Sequence, residues 1–269
     1  FRVYGCNFHC HGFGQGRDKS KWLKPEEMPY NTQDLSGIKH VRDLPVVEIG
    51  CDASASWASR YKHLVAWDSV EEIAEKVKTY TPNNKWTNEN GSDIHFIITG
   101  GEPMLWQRET QQLLRQPEFT DLKNLTIETN LTQPFKADFQ RFLQGLVAGD
   151  YTKTPVHITW STSPKLSISG EHWAKAIKPD VAYQYSNIPN THLYFKFVVQ
   201  DEQDIEEVEM AREEYKKAGV EADIYLMAVG ATVEGQAKTS KQVADLAMKH
   251  GYKYSPRLHV DLFGNKWGT

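Results

Sequence analysis

Three cysteines, Cys6, Cys10 and Cys51, all fall in the first fifth of a 269-residue chain. Thiolate sulfur is the preferred ligand of zinc and of iron–sulfur clusters, so three of them raise the question of a metal. Cys6 and Cys10 stand in the run Gly5-Cys6-Asn7-Phe8-His9-Cys10, directly after a short apolar stretch. Cys51 lies roughly forty residues further on, and a loop can return it to the same place because closure entropy grows only logarithmically with length. Three thiolates in one site would leave a fourth metal position open for something that is not protein. Two other readings stay open here: a zinc site completed by His9, His11 or His40, and three buried thiols packed as small hydrophobes. An odd count this low does not make a disulfide scaffold.

A second feature has the form of a ligand site. The run Phe96-Ile97-Ile98-Thr99-Gly100-Gly101-Glu102-Pro103 reads as a strand ending in two glycines, a carboxylate and a proline. In α/β proteins ligands bind at the carboxyl ends of strands, and glycines there let a ligand meet the backbone directly. Glu102 can accept a hydrogen bond from a cationic amine. A plain strand-to-helix turn would use similar residues; the Cys-x3-Cys after an earlier apolar segment sets this one apart.

These residues need a scaffold, and the pattern supplies one. Short β-branched or aromatic runs at 95–99, 124–129, 156–161, 193–199 and 223–227 read as buried parallel strands. Between them lie helix candidates. Residues 69–79 open on Ser69 with Glu72 three positions later, the spacing of a capping box. Residues 201–218 place Ile205, Val208, Ala211 and Tyr215 on one face and are followed by Gly219; residues 239–250 are ended by Gly251. Such alternation predicts an α/β domain with a mostly parallel sheet, open or closed into a barrel. Residues 12–50 differ: Gly12, Gly14, Gly16, Pro25, Pro29 and Pro45 sit among many charges with little periodicity, predicting a long loop inserted after the second cysteine. No internal repeat is visible, and residues 1–269 are expected to form one domain.

Composition narrows the classes. The chain is 39% hydrophobic, 12% aromatic and 25% charged, with a formal charge of −4. That balance offers neither a basic field for nucleic acid nor a polybasic membrane patch. No apolar run approaches the roughly 18 residues of a membrane helix. A cytoplasmic, reducing location is expected. The chain starts at Phe1 rather than methionine, so some sequence is expected to precede it.

With Cys-x3-Cys and Gly-Gly-Glu-Pro together, the chain resembles the radical S-adenosylmethionine superfamily. The resemblance implies an incomplete, TIM-like (β/α) barrel. It also implies a 4Fe-4S cluster on three cysteines, whose remaining iron binds S-adenosylmethionine; its reductive cleavage gives a hydrogen-abstracting 5′-deoxyadenosyl radical. Within the superfamily, four stretches together are similar to 7-carboxy-7-deazaguanine synthase. They are Thr99-Gly100-Gly101-Glu102-Pro103-Met104-Leu105, Glu128-Thr129-Asn130, Ser163-Pro164-Lys165 and the final Gly264-Asn265-Lys266-Trp267-Gly268-Thr269. That family converts 6-carboxy-5,6,7,8-tetrahydropterin to 7-carboxy-7-deazaguanine and ammonia, on the way to queuosine and related deazaguanines.

The resemblance assigns Cys6, Cys10 and Cys51 to the cluster. It assigns Gly100, Gly101, Glu102, Glu128, Asn130, Ser163, Pro164 and Lys165 to S-adenosylmethionine, with Leu226, Met227, Ala228 and Val229, after a strand, packing its adenine. Arg2 would meet the substrate carboxylate, and Thr99 and Thr269 would touch the substrate. The third cysteine is displaced from its usual place two residues after the second, where Phe13 stands, and is placed at Cys51-Asp52. Magnesium is left open, because Ala53 occupies the position of the family's hydroxyl ligand and Ser54 is the neighbouring hydroxyl. A flavodoxin or ferredoxin as electron donor and a homodimer are implied as partners. Two alternatives are kept: an activase that installs a glycyl radical on a partner protein, and a non-enzymatic zinc-binding module.

Overall fold

A computed structural model describes residues 1–268. Seven strands form one sheet in the order of the sequence, every neighbouring pair parallel: β1 Arg2–Val3, β2 His95–Gly100, β3 Asn124–Thr129, β4 His157–Thr162, β5 Thr191–Val199, β6 Asp223–Ala228 and β7 Lys253–Tyr254. Among the described residues β7 does not pair with β1, so the sheet is an α/β barrel left open, as expected.

The five longer strands fall within two residues of their predicted positions, but they are not buried on both faces. Their side chains alternate. Phe96, Ile98, Leu125, Ile127, Ile158, Trp160, Phe195, Phe197, Ile224 and Leu226 are buried in one core with the helices. Thr99, Glu128, Ser161, Lys196, Val198 and Met227 point the other way and line a cavity. The helix layer is built by ordinary means. Ser69 and Glu72 close the capping box of the helix Val70–Thr79. Asp201 caps Glu202–Lys217 by accepting from the Gln203 N–H, and Ile205, Val208, Ala211 and Tyr215 turn to the core. Helices Gln107–Leu114, Ala137–Ala148 and Pro179–Ser186 complete the crossovers.

The segment at 12–50 is more than a bare loop. Met28, Tyr30 and Leu44 pack with Ala55, Ala58 and Tyr61 in a small core of their own. Its two ends meet, the Gly50 N–H donating to the Phe13 carbonyl at 2.7 Å. Arg17 clasps it to the barrel, bonding Asp201 and donating to Asp204 at 2.7 Å. Asp204 is fully buried, and Arg17 and the Gln200 N–H satisfy its two oxygens.

The glycine pair has a structural duty first. β1 lies so close to the end of β2 that a Cβ on Gly101 would sit 2.0 Å from the Gly5 carbonyl oxygen, and one on Gly100, at φ +127, would sit 2.2 Å from that of Val3. Gly101→Ala is therefore expected to lower stability by about 1–3 kcal/mol or more. Urea unfolding checks this, and a change within about 0.5 kcal/mol would show that the segment ahead of Cys6 yields freely.

Candidate functional site

The carboxyl ends of β1 to β6 open on a cavity of about 400 Å³. Cys6, Cys10 and Cys51 all reach its wall, so the insertion does return the third thiol to the first two. The Cys6–Cys10 loop is held from outside. Glu171 Oε1 accepts from the backbone N–H groups of His9 (2.9 Å) and Cys10 (2.8 Å), which lets Cys10 keep an unusual φ of +49. Asn7 donates to the Thr132 hydroxyl and accepts from Asn130, each at 2.9 Å. Cys51 sits at the mouth of the insertion, its sulfur accepting from Trp57 Nε1 at 3.4 Å. The Trp57 ring stacks on His9 at 4.7 Å and meets Tyr30 edge-on at 4.9 Å.

Burial pushes all three thiols up, Cys51 to about 12, with Asp52 adding to its shift. Lys165 opposes the rise at Cys6 and Cys10. Alone, such thiols stay neutral at pH 7; a bound cationic cluster would draw off their protons. The Phe8 N–H at 3.4 Å from Cys6 Sγ, like Trp57 at Cys51, is the kind of donor that stabilises a ligating sulfur. The donor set fits an iron–sulfur cluster. A four-coordinate zinc site would need a fourth protein ligand beside the three thiols. His9, His11 and His40 all lie outside the cavity wall.

The other predicted residues divide. Arg2, Thr99, Gly100, Gly101, Glu128, Asn130, Ser163, Lys165, Met227, Ala228 and Val229 line the cavity. Thr99 donates to Glu128 at 2.7 Å, and Lys165 Nζ donates to Ser163 Oγ at 2.9 Å. Glu102, Pro164 and Leu226 are not in the wall. The Glu102 carboxylate is 0% exposed and already accepts from the N–H of Met104, the N–H of Asn130 and the Thr129 hydroxyl, so it ties strand ends together. Leu226 faces the helix core, and residues 226–228 belong to β6 itself rather than following it. Thr269 lies outside the described residues. Trp267 packs on the insertion, donating to the Pro45 carbonyl at 3.0 Å.

Magnesium does not fit. Ala53 reaches the wall without a side-chain oxygen, Ser54 is fully buried and outside the wall, and Asp52 Oδ2 is bonded by Arg257.

Several wall residues escaped the sequence. Lys196, Val198 and Ser161 were findable, since Phe195, Phe197 and Val199 alternate with the first two along one strand. Arg257 and His259 gave no local signal that they would meet here, nor did Glu171, which braces the cysteine loop from outside the wall.

No family model matches the chain. Curated relatives do. A protein of Pyrobaculum aerophilum is 29% identical over 175 residues, 65% of this chain and 67% of its own. A protein of Halobacterium salinarum is 28% identical over 256 residues, 90% and 91%. One of Hyperthermus butylicus is 25% identical over 214 residues, 78% and 77%. Each is named 7-carboxy-7-deazaguanine synthase. The chain resembles the 7-carboxy-7-deazaguanine synthases. Among solved structures, a radical SAM methyltransferase from Sphaerobacter thermophilus aligns with a TM-score of 0.40 and 14% identity, over 72% of this chain and 59% of that one. In the Halobacterium protein the likeness runs over nearly the full length.

Glu171 gives the sharpest test of the cysteine loop. Glu171→Ala removes the acceptor for two backbone N–H groups and is expected to reduce iron bound on anaerobic reconstitution severalfold, whereas Glu171→Gln, which keeps an acceptor oxygen, retains most of it. Equal iron contents would separate Glu171 from the loop's geometry.

Proposed function

We propose that this chain is a radical S-adenosylmethionine lyase that converts 6-carboxy-5,6,7,8-tetrahydropterin to 7-carboxy-7-deazaguanine and ammonia, acting as one unit from end to end. The observation that carries the reading is the convergence of Cys6, Cys10 and Cys51 on one cavity with Arg2, Thr99, Glu128, Ser163 and Lys165. The names of the relatives support the specific reaction. When bound on the three cysteines, a 4Fe-4S cluster supplies the electron that cleaves S-adenosylmethionine and so starts hydrogen abstraction.

The protein's own residues do the rest. Arg2 offers its guanidinium fork to the pterin carboxylate, a bidentate match. Thr99 and Glu128, already bonded to each other, present a hydroxyl and a carboxylate to the pterin ring and the cofactor. Ser163, Lys165 and Asn130 hold polar groups of S-adenosylmethionine, and Gly100 and Gly101 offer bare backbone. Met227, Ala228 and Val229 give an apolar bed for adenine. An enclosure of this size suits small molecules, which favours the lyase over an activase that must admit a protein segment. A flavodoxin or ferredoxin as donor, a homodimer, a cytoplasmic location and a product destined for queuosine-type nucleosides belong to the same proposal. The described residues contain no helix long and apolar enough to cross a membrane.

Anaerobic reconstitution, iron counting and turnover with dithionite, S-adenosylmethionine and the pterin test it. About four irons per chain with formation of carboxydeazaguanine is the expected result. Cofactor cleavage without product would keep the radical chemistry and discard the substrate; absence of iron would discard both. In the same assay Arg2→Ala is expected to raise KM for the pterin by about ten- to a hundredfold, the worth of a charge-assisted hydrogen bond, with iron content unchanged.

A further inference from the structure

The corner of the cavity beside Cys51 holds an ion pair that the three thiols do not use. Asp52 follows Cys51 directly, and its carboxylate is bonded by Arg257 Nη2. The same guanidinium donates from Nη1 to the Gly230 carbonyl at 2.9 Å, and its Nη2 lies 3.3 Å from His259 Nε2. Three segments thus meet on one planar group: the exit of the insertion, the end of β6 and the stretch after β7. The Arg257 side chain is 10% exposed against 38% for Asp52. Asp52, Gly230, Arg257 and His259 all line the cavity.

The resembled family carries magnesium at this corner, on the hydroxyl that follows Cys-Asp. Here that hydroxyl is replaced by Ala53, and Asp52 Oδ2 is bonded by Arg257. The surrounding field also opposes a further cation. Arg2, Lys165 and His259 line the cavity around this pair. One carboxylate already faces several basic groups. A divalent ion that took Asp52 Oδ2 would displace a nearly buried guanidinium from its carboxylate.

The geometry points to Arg257 as the resident cation of this corner: its fixed charge beside Cys51 does the work of the family's magnesium ion, so the enzyme needs no divalent cation. A guanidinium suits the task because it stays protonated at any working pH and its fork is held by directional bonds. The inference rests on the proposed function for its turnover arm alone; its metal-binding arm does not.

The test starts from reconstituted, iron-counted protein freed of other metals by chelation. Titration with Mn2+, followed by its electron paramagnetic resonance, is expected to show no bound ion up to about 1 mM, the weak end of protein sites for hard cations. Pterin turnover is expected to agree within about twofold with EDTA or with added Mg2+, and to fall at least tenfold in Arg257→Met at unchanged iron content. A wild-type Mn2+ site that Asp52→Asn abolishes would overturn the inference. So would tenfold stimulation of the chelated enzyme by Mg2+, or full turnover by Arg257→Met. If the pterin is not the substrate, the Mn2+ titration still decides. If Arg257→Met does not fold, the wild-type measurements still do.

Discussion

The backbone of residues 3 to 5 rests on Gly100 and Gly101 at a separation no side chain would permit. Hydrogen bonds from the Gly101 N–H to the Val3 carbonyl and from the Glu102 N–H to the Gly5 carbonyl, at 3.1 and 2.8 Å, close that approach. Much of the cavity follows from it. The approach sets Arg2 opposite Thr99 in the sheet and leaves Cys6 just beyond the strand end. Beneath it, Glu102 ties the end of β2 to Thr129 and Asn130, and Asn130 reaches back to Asn7 inside the cysteine loop. The Gly-Gly-Glu run therefore welds the first cysteine to the third strand, and only its two glycines also face the cavity.

That division explains what could be read from the residues. Periodicity and local capping located the five long strands and three helices, because burial against the helices imposes an apolar residue at every second strand position and Ser69 and Glu72 close a capping box by themselves. The opposite strand face was misjudged as buried, since Thr, Ser and Tyr in a short β-rich run do not show whether core or cavity lies beyond them. Glu102 was legible as special but not in its duty, because a buried carboxylate that accepts backbone N–H groups looks in sequence like one waiting for an amine. Glu171, Arg257 and His259 lay beyond reach: each acts across more than a hundred residues of chain, and no local rule connects them to Cys10 or Asp52.

The insertion follows another principle. Its length costs little to close, and its ends are joined by a single backbone bond between Gly50 and Phe13. What it needs is anchorage, which Arg17 provides at Asp201 and Asp204, Trp267 at Pro45, and Trp57 between His9 and Tyr30. The electrostatics are frugal in the same way, with Arg17 and Arg257 each pinning a piece of the insertion through an aspartate.

Two of the three sulfurs ride on the barrel, while the third rides on a segment with its own small core around Met28 and Tyr30. With the proposed cluster on these sulfurs, metal retention would report on the folding of that segment, which contributes none of the sheet's strands. Colour and helicity are separate observables in such a molecule: an insertion that loosens would bleach the protein while leaving the barrel's secondary structure standing.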